Sequence, residues 1–192
     1  DERLRYSENS TATLPTFFRA AVYTINVMNA AEVYFLRAEA ALAGMTSENA
    51  ELMYRNGITA SLAQYGVSET VTTGYLNSAE GTLTSSAEEN LEKIIVQKWL
   101  AMYHQSIEAW AEFRRTGYPK IWTGSNLGST NGNIPRRLTY PKSEYSRNQL
   151  NVTEAASRFA DGDKMMSRIW WDAKPGLPFL HPKQGTFPPE IY

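Results

Sequence analysis

The chain has 192 residues, of which 42% are hydrophobic and 20% charged, the balance of a globular domain with a real core. Its formal net charge of −1 gives no electrostatic footprint for nucleic acid, and no apolar run approaches the ~20 residues of a membrane-spanning helix. It has no cysteine, which excludes disulfides, thiol nucleophiles and cysteine metal sites together.

Residues 1–16 are polar with Pro15 near their end and read as loop or frayed strand, and residues 1–26 together as a partly extended lead-in segment of the same domain. The segment carries no leader-like stretch and no initiating Met, which reads as a fragment or a processed form. From Asn26 to Ala43 the pattern is helical: Val27, Ala31, Tyr34, Ala38 and Leu42 recur at helical spacing, and Gly44 supplies a stop. Ala30, Ala31, Ala38, Ala40, Ala41 and Ala43 admit close approach of another helix. Ser47 reads as the next N-cap, with Glu48 and Glu51 in the first turn. The second helix carries Tyr54, Ile58, Leu62 and Tyr65, runs to about Gln64 and ends at Gly66. The short connection makes the two helices antiparallel neighbours. Gly57 inside the second helix costs about 1 kcal/mol relative to Ala, which a close helix crossing would explain.

Residues 67–85 are rich in Thr, Ser and Gly and read as a connection anchored by Tyr75 and Leu76. Ser85 with Glu88 and Ser86 with Glu89 form two overlapping capping boxes. A third helix is predicted unbroken from Ala87 to Thr116, burying Leu91, Ile95, Trp99, Met102, Tyr103, Trp110 and Phe113. It ends in Arg114-Arg115-Thr116-Gly117-Tyr118-Pro119, two cations against the negative helix end and then a glycine stop. Thr123 to Asn133 is a Gly/Ser/Asn/Thr-rich loop. Ile134 to Pro141 reads as extended segment and turn, followed by short helices near 143–148 and 152–159. Trp170-Trp171-Asp172 closes the compact part, and 173–192 is a Pro-rich extended tail. Two helix pairs of similar length point to a mainly α fold with tetratricopeptide-like packing and long irregular loops.

Enzyme signals are poor. Glu108 and Glu112 are four apart on one helix, a spacing usually solvated or bonded to arginine, and nothing places them across a cleft. His104 and His181 sit in no zinc spacing, and Asp161-Gly162-Asp163 lacks the other ligands of a calcium loop. Nucleophile-elbow, Walker and dinucleotide motifs are missing. The reading is a protein that is not an enzyme and that needs no cofactor and no metal. Arg114, Arg115, Arg136 and Arg137 suit an acidic ligand, but their structural reading is stronger: pairing with carboxylates such as Glu108, Glu112 or Glu144, and capping of helix-end carbonyls.

Four segments together resemble one family. They are Ala31-Glu32-Val33-Tyr34-Phe35-Leu36-Arg37-Ala38-Glu39-Ala40; Tyr54-Arg55-Asn56-Gly57-Ile58-Thr59-Ala60-Ser61; Gln97-Lys98-Trp99 through Trp110 to Pro119; and Ile134-Pro135-Arg136-Arg137 through Tyr140-Pro141, Glu144, Asn148 and Trp170-Trp171-Asp172. Their order and spacing resemble the SusD/RagB family of outer-membrane nutrient-binding lipoproteins of Bacteroidota, in its SusD-like branch. The resemblance covers residues 27–172 and is to the C-terminal part of the family's domain. It implies a surface-exposed outer-membrane lipoprotein, lid to a SusC-like TonB-dependent transporter, that captures an oligosaccharide or other nutrient and does not hydrolyse it. The family's anchor cysteine is absent, so contact with the membrane is expected only through a lipid anchor outside this fragment.

A sugar site needs flat aromatic faces with planar polar groups at the ring edge. Tyr118 and Trp122, followed by Asn126, Asn131 and Asn133, offer that composition on one loop; Tyr75 is a second candidate. The plainer alternative is that Trp122 plugs the core and the asparagines only make turns. In the family the main ligand residues tend to lie upstream of this segment. Trp99, Trp110 and Trp171 are expected to serve the core. The alternative function is a helical scaffold that binds a protein partner and no small ligand.

Overall fold

A computed structural model describes residues 26–122 and 128–182. Among these residues the regular structure is entirely helical: α1 Ala30–Leu42, α2 Ala50–Gln64, α3 Glu69–Leu76, α4 Ala87–Ala101, α5 Ser106–Thr116, α6 Lys142–Arg147 and α7 Gln149–Ser157. The chain divides into two compact units, residues 1–110 and 111–192.

In the first unit α1 to α4 each start where a side chain satisfies an orphan N–H group. Asn29 caps α1 by accepting from the Glu32 N–H at 2.7 Å. Its amide also donates to the Ala101 carbonyl at 3.1 Å, tying the start of α1 to the end of α4. The helix therefore begins four residues later than the periodicity predicts. Asn49 caps α2 through the Leu52 N–H at 2.8 Å, displacing the expected Ser47. The segment read as a loop contains α3, capped by Ser68, whose Glu69 and Thr72 suit a first turn. Ser86, not Ser85, caps α4. Only half of its capping box forms, because the Glu89 carboxylate accepts from the Thr84 hydroxyl at 2.8 Å.

The core is built from Ala31, Phe35 and Ala38 of α1, Tyr54, Ile58 and Leu62 of α2, and Ile94 and Ala101 of α4. Fully burying side chains such as Phe35 and Ile58 stabilises by about 1.5–3 kcal/mol each. Phe35 meets Gly57 and Tyr54, whereas Arg37, further along α1, pairs with Glu48 before α2, so the two helices run antiparallel. A Cβ at position 57 would lie 2.6 Å from the Phe35 ring, so Gly57 marks the predicted close crossing. The connection after α3 is pinned to α2: the Tyr54 hydroxyl donates to the Glu80 carbonyl at 2.6 Å, and the Glu51 carboxylate accepts from the Leu83 N–H at 2.8 Å.

The predicted third helix is two helices. α4 stops at Ala101, His104 takes a left-handed φ of 75°, and α5 restarts at Ser106. Gln105 holds the break by donating to the Asn26 carbonyl at 2.9 Å. The break turns Tyr103 outward, 52% exposed, where an unbroken helix would bury it.

In the second unit, α5 ends at Gly117 and an irregular chain carries α6 and α7. The Arg136 and Arg137 N–H groups both donate to the Met165 carbonyl, at 2.8 and 3.1 Å, holding this segment beside residues 163–167. The described part of the Pro-rich segment, residues 173–182, keeps an irregular course but is not detached: Leu177 is buried. Trp171, expected in the core, is 44% exposed, while Trp99 and Trp110 are half-buried.

Candidate functional site

The corner after α5 is set by backbone chemistry. The Gly117 N–H donates to the Phe113 carbonyl at 2.9 Å, and Gly117 adopts a φ of 84°. A Cβ there would lie 2.5 Å from Leu177 and 2.9 Å from Phe179, so positive φ and close approach both call for glycine. The Thr116 hydroxyl bridges the turn, donating to the Glu112 carbonyl at 2.7 Å and accepting from the Tyr118 N–H at 3.2 Å.

The four arginines are structural, but their partners are not the nearby glutamates except in one case. Arg115 pairs with Glu112. Arg136, 1% exposed, forms a bidentate pair with the buried carboxylate of Asp172, which also accepts from Arg168. Arg137 pairs with Asp163 and lies 4.2 Å over Phe159. Arg114 donates to the Arg136 carbonyl at 3.2 Å, receives Arg136 Nη2 on its own carbonyl at 2.9 Å, and sits 4.8 Å over the Trp171 ring. Burial and then repulsion from Arg136 pull the Arg114 guanidinium below its usual value, and Asp172 opposes them. Burial pushes the Asp163 carboxyl up, but hydrogen bonds from Arg137, Tyr145 and the Tyr140 N–H outweigh it and leave the group below the ordinary range.

The predicted sugar-binding residues fall in different settings. Tyr118 is 2% exposed with its ring 4.7 Å from Phe179, so it packs the corner and offers no open face. Trp122 stays half-buried and stacks on His181, with centroids 5.8 Å apart and planes 17° from parallel. Asn126 lies outside the described residues. Asn131 is exposed with a φ of 51°, and its N–H closes a turn on the Gly128 carbonyl at 3.1 Å. Asn133 donates to the Thr130 and Asn131 carbonyls at 3.0 and 3.2 Å, the turn-making role of the plainer alternative.

Tyr75 belongs to the first unit, where its hydroxyl accepts from Gln97 at 2.6 Å. Gln97 also lines a cleft of about 130 Å³ with Tyr54, Glu80, Glu92, Lys93 and Val96, smaller than the roughly 300 Å³ at which ligand pockets usually begin. Lys93, in its lining, donates to the Ala79 and Thr82 carbonyls at 2.6 and 2.8 Å. No cluster of metal-ligating side chains occurs among the described residues. Sequence reasoning missed His181 beneath Trp122, and Asp163 and Asp172 as arginine partners. Only the quoted Trp-Trp-Asp motif hinted at the last.

Residues 2–141 match the SusD-like family described as starch-binding, associating with outer membrane. The chain belongs to the SusD-like family. Solved structures agree. A SusD-like protein of Bacteroidetes is 34% identical with a TM-score of 0.68, covering 77% of this chain and 30% of its own. A SusD homologue from Bacteroides fragilis is 31% identical with a TM-score of 0.65, covering 77% and 35%. A chitin-binding protein is 32% identical with a TM-score of 0.65, covering 76% and 33%. The chain thus spans about a third of the length of these SusD-like relatives. No curated protein matches it. SusD-like proteins are outer-membrane-associated nutrient-binding proteins of Bacteroidetes, and the family is non-enzymatic.

Proposed function

We propose that this protein is a cell-surface glycan-binding component of a nutrient-uptake complex, which captures oligosaccharide and passes it to a SusC-like TonB-dependent transporter. A lipid anchor would hold it at the outer membrane. The observation that carries the reading is the SusD-like family match over residues 2–141. The chitin-binding relative supports a glycan as ligand.

Within the chain, Trp122 is the residue proposed to meet the sugar. Its indole is fixed from one side by His181 and stands at the foot of the Asn-rich loop, with exposed Asn131 further along that loop. An indole held in one orientation loses little entropy when a pyranose stacks on it. The amide of Asn131 can donate to and accept from hydroxyls at the ring edge. Tyr118 is buried against Phe179 in the corner that precedes this loop. Tyr75, bonded to Gln97 beside the small cleft of the first unit, is the weaker proposal.

Isothermal titration of the intact protein against chito- and malto-oligosaccharides tests the reading. Binding to at least one, weakened about tenfold in Trp122→Ala, is expected from the loss of one aromatic contact. Absence of heat with every glycan and no transporter co-purifying from outer membranes would overturn it.

A further inference from the structure

The Trp-Trp-Asp motif forms a tight turn. The Asp172 N–H donates to the Ile169 carbonyl at 2.9 Å, which puts Trp170 and Trp171 at its two central positions. Such positions favour Gly, Asn, Asp, Ser or Pro, which accept turn conformations at little cost. Two indoles there call for a reason. Trp171 has one, since its ring packs against the Arg114 guanidinium 4.8 Å away. Asp172 has one in its buried pair with Arg136. Trp170 has none among the described residues: it is 89% exposed.

The turn that carries it is braced on both sides. Asp172 is anchored by Arg136 before it leaves the turn. Arg168 donates to the carbonyls of Asp172 at 3.1 Å and Lys174 at 2.8 Å, and also to the carbonyl of Leu177. An indole on a braced turn is preorganised: its backbone is already ordered before anything binds. We propose that Trp170 is a stacking platform for a hexose ring of an oligosaccharide, a contact additional to the Trp122 loop. The proposal rests on the reading of the protein as a glycan binder.

The surroundings favour a sugar over a protein. A protein hot spot sits inside a ring of apolar contacts that exclude water. Along this turn the neighbours of Trp170 are Trp171, 44% exposed but with the Arg114 guanidinium over its ring, half-buried Ile169, the Asp172 ion pair, and the charged side chains of Arg168 and Lys174. An exposed indole flanked by a second indole under a guanidinium and by charged side chains matches the apolar C–H face of a pyranose, whose hydroxyls stay solvated or meet polar groups at the edge.

Titration of the intact protein with chitohexaose and maltoheptaose, in wild type, Trp170→Ala, Trp170→Phe and Trp122→Ala, tests this. Trp170→Ala is expected to weaken the bound glycan about tenfold with an unchanged melting temperature, and Trp170→Phe to retain most of the affinity. Wild-type binding that survives Trp170→Ala unchanged overturns this inference alone, whatever Trp122→Ala does. Wild type that binds neither sugar overturns the underlying reading and this inference with it. Sugar affinity preserved while the transporter no longer co-purifies would assign Trp170 to protein docking, also against the proposal. So would acrylamide quenching of the free intact protein that does not differ between wild type and Trp170→Phe, because Trp170 would then be covered.

Discussion

At Gly57 two opposed effects meet at one atom. Alanine in a helix interior is normally about 1 kcal/mol better than glycine. Here the added methyl would lie 2.6–2.8 Å from three atoms of the Phe35 ring, which is itself fully buried against Tyr54. Overpacking of this kind costs about 1–3 kcal/mol, so Gly57→Ala should lower stability in urea unfolding; a gain would show that α1 and α2 separate more easily than their packing implies. Asp163 makes a pH-dependent contribution. Its folded carboxyl lies below the ordinary value, so the unfolded chain binds its proton first as pH falls. The stabilisation is complete above the unfolded value near 4 and is lost as pH falls through the lower, folded one. Asp163→Asn should therefore be destabilised at neutral pH, because Arg137 loses its buried partner. Its deficit against wild type should shrink in urea titrations near pH 3, and a constant deficit would refute the assignment.

Helix ends carrying glycine were legible in the sequence: α1 stops before Gly44 and α2 before Gly66, both at positive φ. The α4–α5 break was not, because Met102-Tyr103-His104-Gln105 contains neither Gly nor Pro. The break is accompanied by a tie from Gln105 to Asn26, 79 positions away, which no local pattern announces. α3 was hidden by its Thr/Ser/Gly composition, which resembles loop although Ser68 caps a regular turn. The same distance effect governs the candidate site. The sequence predicted paired arginines, but the real acceptors lie 36 and 26 residues away, and nearby glutamates masked them. The Asn-rich loop was legible as turn chemistry, and the burial of Tyr118 was not, because Phe179 comes from a segment that reads as a tail. The irregular chain between residues 136 and 172 therefore depends on its end-to-end lock. Asp172→Asn should cost about 3–5 kcal/mol, the usual penalty for stranding one member of a buried ion pair. The double variant Arg136→Met with Asp172→Leu should lose clearly less than the two single losses added together. Additive losses would mean the two side chains act separately.

For the whole molecule, charge and aromatic content lead to different expectations about ligand. The formal net charge is −1, and aromatic residues make up 12% of the chain. Among the arginines around the α5 corner, Arg115, Arg136 and Arg137 are each engaged by a carboxylate and Arg114 by a carbonyl and an indole. The exposed or half-open groups offered for binding are instead Trp122, Asn131 and Trp170, none of which titrates. Binding through such groups releases few counterions and involves no long-range attraction to be screened. The affinity of the intact protein for a neutral oligosaccharide should therefore change by less than about twofold between roughly 0.05 and 0.5 M salt. Titration at both ionic strengths measures this directly. A loss of tenfold or more, about 1.4 kcal/mol, would mean that one of the arginine pairs opens to an acidic ligand, and the binding surface would have to be redrawn around Arg114 and Arg136.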